Sequence, residues 1–316
     1  MSERLAAVTG ATGFIGPHLV REFARSGWRV RLLLRRDPVI AEWRDVRPEI
    51  VAGSLGDSAA LERLVEGADA VIHVAGLIKA ATRAEFFSVN KQGAADVARV
   101  AQRIAPGAHF LHVSTQAARE PQLSDYAASK RAGEDGVRAL LGQRCTVLRP
   151  PAVYGPGDRE TLVFFQLARQ RLVPLLGAAG SRAALIHVQD LVRLIVALAG
   201  TAPKGEVLTA ADARPEGYRW EEVLGAAARA VGNAAPRFVQ APLPLLRGVA
   251  LAGDFGRVLG SANMLNSQKL RELRHPDWSV SPQERAQAPG WAPEFSIDAG
   301  FADAVAWYRA EDWLPA

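Results

Sequence analysis

The sequence predicts an α/β fold, in which a doubly wound parallel sheet is followed by a smaller C-terminal region. Within residues 1–150, short apolar runs alternate with longer segments of helical pattern. The apolar runs lack the polar–apolar alternation of a strand with one wet face, so we expect helices on both faces of the sheet. After Pro150 this rhythm ends, and prolines and glycines cluster. We therefore predict one domain over 1–150 and a second region over 151–316, with some of its segments returning to the first.

The first domain has six predicted strands and four predicted helices. The strands are expected at 5–9, 29–34, 49–53, 70–75, 109–114 and 146–150, and the helices at 14–26, 57–66, 84–104 and 125–141. In the second region, residues 238–260 are apolar and interrupted by proline and glycine, which predicts a partly helical segment. Two interpretations of that segment stay open: it packs against the first domain, or it forms one wall of an apolar substrate pocket.

Composition excludes several classes of protein. The chain has 316 residues, 49% of them hydrophobic, and a net charge of +5, but its basic residues are mixed with acidic ones. The sequence contains no basic stripe with interleaved aromatic residues, the pattern that would indicate nucleic-acid binding. The single cysteine, Cys145, lies in an apolar run, which excludes an internal disulfide and a multi-cysteine metal site, and no metal is predicted. No apolar stretch reaches the roughly 18 residues of a membrane span, and no targeting peptide is evident, so a cytoplasmic enzyme is expected.

A glycine-rich turn joins the first predicted strand to the first helix. The segment TGATGFIG, residues 9–16, places Gly10, Gly13 and Gly16 three positions apart. Glycines there let the backbone approach a pyrophosphate, whose charge is met by N–H groups at the helix N-terminus. The order of strand, turn and helix is the one that a dinucleotide site requires. We therefore expect the dinucleotide to contact Gly10, Thr12, Gly13, Phe14, Ile15 and Gly16.

The end of the second strand indicates which dinucleotide binds. An NAD site usually carries an acidic side chain there, whereas this chain has Arg35 and Arg36. A guanidinium can bind a 2′-phosphate through two parallel charge-assisted hydrogen bonds. NADP is therefore favoured. The nearby acidic residue Asp37 keeps NAD as the alternative cofactor. A further interpretation of Arg35 and Arg36 is that they are solvated side chains at a strand end and contact no cofactor.

Tyr126 and Lys130 form a candidate acid–base pair in the segment DYAASKRAG, residues 125–133. Residues four apart lie on the same face of a helix. A neighbouring ammonium stabilises a phenolate and lowers the pKa of the phenol, as acid–base catalysis near neutral pH requires. The spacing therefore predicts a catalytic tyrosine with a lysine partner.

Several motifs in order resemble the extended branch of the short-chain dehydrogenase/reductase superfamily. TGATGFIG, HVST, YAASK, LRPPAVYGPGD and LIHVQD match that branch over nearly the whole chain. The resemblance implies a Rossmann-type NAD(P)-binding domain over 1–150 and a mainly substrate-binding region after it. The C-terminal part resembles the dihydroflavonol reductase and 3β-hydroxysteroid dehydrogenase-like groups, and also bacterial members called epimerase/dehydratase. Relatives often dimerise through paired helices, which implies a homodimer formed by 84–104 and 125–141.

The same resemblance assigns site residues. Tyr126 would be the general acid or base, Lys130 would hold the nicotinamide ribose, and Thr115, with Ser114 as the adjacent alternative, would bond the substrate oxygen. The further cofactor contacts that it implies are Ser54 and Leu55 beside the adenine, Ala75 and Gly76 under the cofactor, and Pro150 and Val153 beside the nicotinamide.

Three functions are compatible with these residues. The first is an NAD(P)-dependent oxidoreductase acting on the carbonyl or secondary alcohol of a small, moderately apolar molecule. The second is a sugar-nucleotide epimerase or dehydratase with tightly bound NAD, which is weakened because Ala183 stands where such enzymes carry an arginine. The third is a non-catalytic dinucleotide-binding module, which would not need Tyr126, Lys130 and Thr115.

Overall fold

The computed structural model describes residues 3–36, 43, 46–258 and 265–315. The chain divides into two compact units. Unit 1 comprises Met1–Pro150, Leu191–Thr209 and Ala286–Ala292, and unit 2 comprises Pro151–Asp190, Ala210–Arg285 and Pro293–Ala316. Asp37, which the sequence analysis named as the residue that keeps NAD possible, lies outside the described residues.

The strands are short and most of them are buried. They are β1 Leu5–Thr9, β2 Arg29–Leu34, β3 Glu49–Ala52, β4 Ala70–His73, β5 His109–Val113, β6 Cys145–Arg149, β7 Ala152–Tyr154, β8 Leu172–Leu175, β9 Arg182–Ala183, β10 Leu185–His187, β11 Val207–Thr209, β12 Tyr218–Arg219, β13 Arg237–Gln240 and β14 Asp277–Trp278. All six strands predicted for the first domain form, and each differs from its predicted bounds by at most two residues at an end.

The helices are α1 Ile15–Arg25, α2 Ser58–Val65, α3 Arg83–Phe87, α4 Ala94–Ile104, α5 Asp125–Leu141, α6 Leu162–Ala168, α7 Val188–Ala199, α8 Trp220–Val231, α9 Leu243–Val258, α10 Ser267–Leu273 and α11 Ile297–Ala310. The single helix predicted at 84–104 is interrupted by a π-helical turn, Ser88–Gly93, which joins α3 to α4. Such wide turns occur mostly as local bulges and are frequent at functional sites.

A seven-stranded parallel sheet forms the centre of unit 1, in the order β11-β6-β5-β4-β1-β2-β3. The chain moves from β1 through α1 to β2 in one direction, and from β3 through α2 to β4 in the other. Because such crossovers are right-handed, α1 lies on one face of the sheet and α2, α4 and α5 lie on the other. The predicted doubly wound fold is confirmed, and its topological switch point lies between β1 and β4.

The core under α2, α4 and α5 is built from small and branched side chains. Ala7, Val71, Phe110 and Cys145, one from each of four adjacent strands, belong to a single buried cluster. Side chains two positions further along each strand share that face, because successive strand residues alternate between faces. This places Thr9, His73, His112 and Val147 in one row near the carboxyl ends of the strands. The polar side chains of this row therefore lie directly next to the apolar core of unit 1.

Unit 2 has a separate core and three small sheets. Tyr154, Phe165, Phe301 and Tyr308 are fully buried in one cluster with edge-to-face ring contacts. The sheets pair β10 with β7, β13 with β8, and β12 and β14 with β9. The predicted helical segment at 238–260 contains β13 and α9 among its described residues. Within the described parts of both units, no helix is long and apolar enough to cross a bilayer.

Candidate active site

The glycine-rich turn connects β1 to α1 at the switch point. Gly10 has a φ of +80°, and a Cβ there would lie 2.4 Å from the backbone nitrogen of Ala75. At Gly16 a Cβ would lie 2.2 Å from the carbonyl oxygen of Ala11. The protein itself thus requires glycine at these two positions, because any side chain would meet backbone. The close approach also brings Ala75, a predicted cofactor contact, against the turn.

Gly13 differs from its two neighbours in the motif. A Cβ at Gly13 would have only the carbonyl oxygen of Gly10 within reach, at an ordinary 3.5 Å. Packing within the protein therefore does not explain glycine at this position, and the space beside it is open to a ligand. Thr12 and Gly13 are exposed, Phe14 and Ile15 are half-buried, and no side chain caps the N-terminus of α1. The Gly16 amide donates to the Gly13 carbonyl at 3.1 Å and Pro17 has no N–H, so a pyrophosphate at this turn would use the open space beside Gly13 and the positive end of the helix dipole.

The remaining residues predicted near the adenosine end follow β2 and β3. Arg35 and Arg36 are exposed directly after β2, which ends at Leu34. Ser54 is exposed after β3, while Leu55 packs on the core of unit 1 and its Cδ1 would lie 2.8 Å from a Cβ at Gly93. Because β2 and β3 are neighbouring parallel strands, these residues lie at one edge of the sheet.

Helix α5 begins immediately before the predicted tyrosine. Ser124 is its N-cap and accepts a 2.9 Å hydrogen bond from the Ala127 amide. Tyr126 therefore lies in the first turn, where it is half-buried, and its ring centroid is 6.2 Å from that of Phe86. Lys130 follows one turn later on the same face.

Lys130 is buried beneath the end of β5. Its Nζ donates a 2.8 Å hydrogen bond to the carbonyl oxygen of Val113, and it would lie 3.5 Å from a Cβ at Gly76. Burial lowers the pKa of Lys130 from its usual 10.5 to about 8, against the opposing attraction of Glu134. The structure thus brings the predicted residues Lys130, Gly76 and Ala75 together around the ends of β4 and β5.

Ser114 and Thr115 directly follow β5. Thr115 is half-buried, and its hydroxyl accepts a 3.3 Å hydrogen bond from the Ala117 amide at the start of a short 3₁₀ turn. The Ser114 hydroxyl is buried and has no hydrogen-bond partner among the described residues. A buried polar atom without a partner is uncommon and is often explained by a ligand or water. Ser114 therefore fits a polar atom of substrate or cofactor at least as well as Thr115 does.

Asn90, in the π-helical turn, ties the loop after β4 to α5. Its side-chain oxygen accepts from the Leu77 amide at 2.8 Å, and its side-chain nitrogen donates to the Leu77 carbonyl at 3.0 Å and to the Ser129 hydroxyl at 2.9 Å. Ser129 in turn donates to the Tyr126 carbonyl at 2.8 Å. The backbone of Asn90 lies so close to α5 that only glycine fits at Gly133. The wide turn thus places the hydrogen bonds of Asn90 next to the candidate catalytic pair.

Two buried histidines under Lys130 were not anticipated from the sequence. His73 and His112 occupy paired positions in β4 and β5, and their rings stack at 5.3 Å and 13°. His73 Nδ1 lies 2.8 Å from the Thr9 hydroxyl. Burial, reinforced by the charge of Lys130, lowers the pKa of His73 to about 3 and the pKa of His112 well below its usual value. The signal in the sequence was the His-Val ending shared by AVIHV and HFLHV, which parallel pairing places side by side.

A buried ion pair was missed for a similar reason. Arg149, in β6, donates to Glu134 of α5 through two hydrogen bonds of 2.9 and 2.6 Å. Both side chains are nearly inaccessible to solvent. The parallel two-bond geometry holds α5 against the sheet one turn after Lys130. Glu134 lies one turn beyond the tyrosine motif, and only the fold brings it to Arg149.

The two residues predicted beside the nicotinamide fall in different units. Pro150 is the last residue of the first segment of unit 1, and its carbonyl accepts a 2.8 Å hydrogen bond from the Gln116 amide, next to Thr115. Val153 lies in unit 2, in β7, where it pairs with Ile186 of β10. Among the described residues, no group of three or more histidine, cysteine, aspartate or glutamate side chains could hold a metal ion.

A Rossmann-type sheet with a glycine turn at its switch point defines a class of dinucleotide-binding proteins. Residues 6–211 match the NAD dependent epimerase/dehydratase family. The chain is 47% identical to a ceramide reductase of Caulobacter vibrioides over 98% of this chain and 96% of that one. It is also 29% identical to sterol demethylase protein B of Methylococcus capsulatus over 96% and 97% of the two chains.

A solved structure supports the same assignment of the fold. The dTDP-glucose 4,6-dehydratase DesIV of Streptomyces venezuelae, determined with NAD bound, superposes with a TM-score of 0.73 at 24% identity, over 99% of each chain. The chain belongs to the NAD-dependent epimerase/dehydratase family, and the resemblance stated from its motifs is confirmed.

Proposed function

We propose that this protein is an NAD(P)-dependent reductase that reduces a ketone on a ceramide-type lipid to a secondary alcohol. The observation that carries the proposal is the 47% identity to a ceramide reductase across nearly the whole length of both chains. The proposal narrows the oxidoreductase function expected from the motifs, which required a moderately apolar substrate. Reduction of an isolated ketone is also consistent with a site that has one acid–base pair and no metal cluster among the described residues.

The bound nicotinamide cofactor would supply the hydride. The protein supplies the proton and the hydrogen bonds that stabilise the oxygen as negative charge develops on it. Tyr126 donates the proton to that oxygen from the first turn of α5. Thr115 or Ser114, directly after β5, donates a hydrogen bond to the same oxygen.

Lys130 acts on the tyrosine and on the cofactor ribose. Its ammonium is already fixed by the Val113 carbonyl, so one of its three N–H donors is used and two remain for a ribose hydroxyl. Its positive charge favours the phenolate form of a nearby phenol. Burial between α5 and β5 preserves this geometry when the cofactor leaves.

The cofactor contacts proposed here are those of the glycine turn, the loop after β4 and the strand ends. The residues of the turn are Gly10, Thr12, Gly13, Phe14, Ile15 and Gly16, and the others are Ser54, Leu55, Ala75, Gly76, Lys130, Pro150 and Val153. Arg35 and Arg36 favour NADP, since two exposed guanidinium groups suit a 2′-phosphate. NAD stays the alternative. We also propose a cytoplasmic location, and a homodimer formed through the helices at 84–104 and 125–141.

The proposal is tested by incubating the purified chain with a ceramide-type lipid that carries a ketone and with NADPH or NADH. Mass spectrometry should show a product heavier by two hydrogens, formed faster with NADPH. A matched lipid that already carries the alcohol should react only with the oxidised cofactor. Release of tightly held NAD from the purified protein, together with turnover of a sugar nucleotide, would contradict the proposal and favour the epimerase or dehydratase alternative.

A further inference from the structure

Exposed apolar side chains concentrate on one part of unit 2. Seven large apolar residues are exposed in the described part of the chain, and five of them lie in β8, β13 and α9. These five are Leu172, Val239, Leu245, Val249 and Leu251, with exposed fractions of 57%, 48%, 62%, 49% and 58%. Clustered exposed apolar residues mark contact surfaces, whereas isolated ones need no explanation.

Helix α9 is apolar on both of its faces. Leu246 and Ala250 of the inner face are buried against Leu270 of α10. The outer face carries Leu245 and Val249 one turn apart, with Gly248 and Ala252 on the same stripe. A helix with apolar stripes on two sides is normally covered on both, whereas in the described part of the chain Leu245 and Val249 stay 62% and 49% exposed.

The strand pair before α9 continues this pattern. Leu172 of β8 pairs in register with Arg237 of β13, and Pro174 pairs with Val239. Val173 and Leu175 point the other way, into a buried cluster, so Leu172 and Val239 share the outer side. Only Ala241 and Pro242 separate β13 from α9. The outer face is defined here as the exposed side chains of β8, β13 and α9.

The charges close to the outer face are mostly positive, and the acid of α9, Asp254, lies on the opposite side of the helix from Leu245 and accepts a hydrogen bond from the Ser267 amide. Residues 161–178 and 223–253 contain no aspartate or glutamate and include five exposed arginines, of which Arg229 pairs with Asp298. The other four are Arg169, Arg171, Arg237 and Arg247, which make no ion pair with a residue in the described part of the chain. Apolar side chains flanked by unpaired cations complement an anionic lipid surface, where the cations meet phosphate groups and the apolar groups enter the acyl boundary.

We propose that the outer face docks unit 2 onto an anionic phospholipid bilayer, from which the lipid substrate is taken. The part concerning the substrate rests on the proposed function, since a ceramide-type lipid resides in a bilayer and must be reached there. A second copy of the chain fits this face less well, because two such faces would bring arginines against arginines without acids to neutralise them.

The test measures sedimentation of the full chain with vesicles, without substrate or cofactor. Phosphatidylcholine vesicles containing phosphatidylglycerol should bind the protein, pure phosphatidylcholine vesicles should bind it much less, and added NaCl should release it. Leu245→Gln combined with Val249→Gln should lower the partition coefficient by about tenfold or more, because both side chains are exposed and would enter the bilayer. The control is Ile50→Gln, which replaces an apolar residue of unit 1 that is 45% exposed and should bind as the wild type does.

The arginines are tested in the same assay. Arg237→Gln combined with Arg247→Gln should weaken binding to the anionic vesicles by about tenfold or more, whereas Arg25→Gln, on α1 of unit 1, should leave it unchanged. Equal binding of wild type and the Leu245→Gln, Val249→Gln variant would overturn the proposal. A second result would also overturn the proposal: the wild type does not bind vesicles but is a homodimer, and the Leu245→Gln, Val249→Gln variant is a monomer. The outer face would then be a contact between two copies of the chain. Turnover is measured separately, so failure of the proposed function is distinguishable from failure of the docking surface.

Discussion

Lys130 Nζ donates a 2.8 Å hydrogen bond to the carbonyl oxygen of Val113, the last residue of β5. This bond joins the helix that carries Tyr126 to the strand whose next two residues are Ser114 and Thr115. The three candidate catalytic elements are thereby held in one local arrangement in unit 1. Because the lysine is buried, this arrangement has a cost in stability that can be measured.

Replacement of Lys130 by methionine should raise the stability of the fold while removing catalytic activity. At pH 7 the ammonium is charged in both folded and unfolded chains, and the lowered pKa of about 8 corresponds to about 3 kcal/mol of burial cost. Allowing for the lost Val113 bond, Lys130→Met should be about 1–3 kcal/mol more stable than the wild type at pH 7 and should lose turnover. The gap should narrow between pH 8 and 10.5, where folding releases the lysine proton. Urea denaturation at both ends of that range checks this, and a gap independent of pH would contradict it.

Tyr126→Phe should abolish most catalysis without affecting the fold. Removal of a general acid typically lowers the rate by about 10²–10⁴-fold. Binding of NADPH, followed by its fluorescence, should be unchanged, because the phenylalanine ring retains the packing against Phe86. Tyr218→Phe, in unit 2, is the control and should retain turnover. An active Tyr126→Phe enzyme would refute the assignment of the proton donor.

Gly13 and Gly16 should respond differently to alanine. Gly13→Ala should leave the melting temperature unchanged while weakening the dinucleotide by about tenfold or more, since only the ligand needs that space. Gly16→Ala should destabilise the protein by about 1–3 kcal/mol or more, because its Cβ would overlap the Ala11 carbonyl. Calorimetry of unfolding and of NADPH binding distinguishes the two effects. Equal destabilisation of both variants, with no separate loss of NADPH affinity in Gly13→Ala, would show that the turn is purely structural.

Arg35→Ala combined with Arg36→Ala should alter cofactor preference. We expect NADP to bind about 10- to 100-fold more weakly and NAD to change little, because only the 2′-phosphate loses charge-assisted bonds. Isothermal titration with each cofactor measures this. Arg25→Ala combined with Arg47→Ala, which removes two other exposed arginines of unit 1, controls for the change in net charge. Equal losses for the two cofactors would exclude a 2′-phosphate contact.

His112 should make the protein sensitive to acid. Its folded pKa lies well below 6.5, so below that pH the unfolded chain binds a proton that the folded chain does not. Stability should therefore fall by about 1.4 kcal/mol per pH unit for each such histidine. In His112→Phe, which keeps a ring against His73, the slope of stability against pH between pH 6 and 4 should be smaller by about 1.4 kcal/mol per pH unit. Urea titrations at several pH values measure the slope, and an unchanged slope would contradict a neutral buried imidazole.

Most of the fold of unit 1 was predictable because local patterns and tertiary contacts agree there. The apolar runs that predict strands are the strands of the sheet, and the glycine turn and the Ser124 cap form where their sequences place them. The π-helical turn at 88–93 was not predictable, because nothing in its residues distinguishes a wide turn from an ordinary α-helical turn. It forms where Asn90 bonds to Leu77 and Ser129, two residues brought near by the fold.

The sequence by itself determined the family, the doubly wound sheet and the positions of the glycine turn and the Tyr126–Lys130 pair, because these depend on spacing within short segments. Tertiary structure decided what surrounds them. The stacking of His73 on His112, the ion pair of Glu134 with Arg149 and the burial that lowers the lysine pKa all join residues from different elements. Such contacts depend on strand order and register, which no single segment encodes.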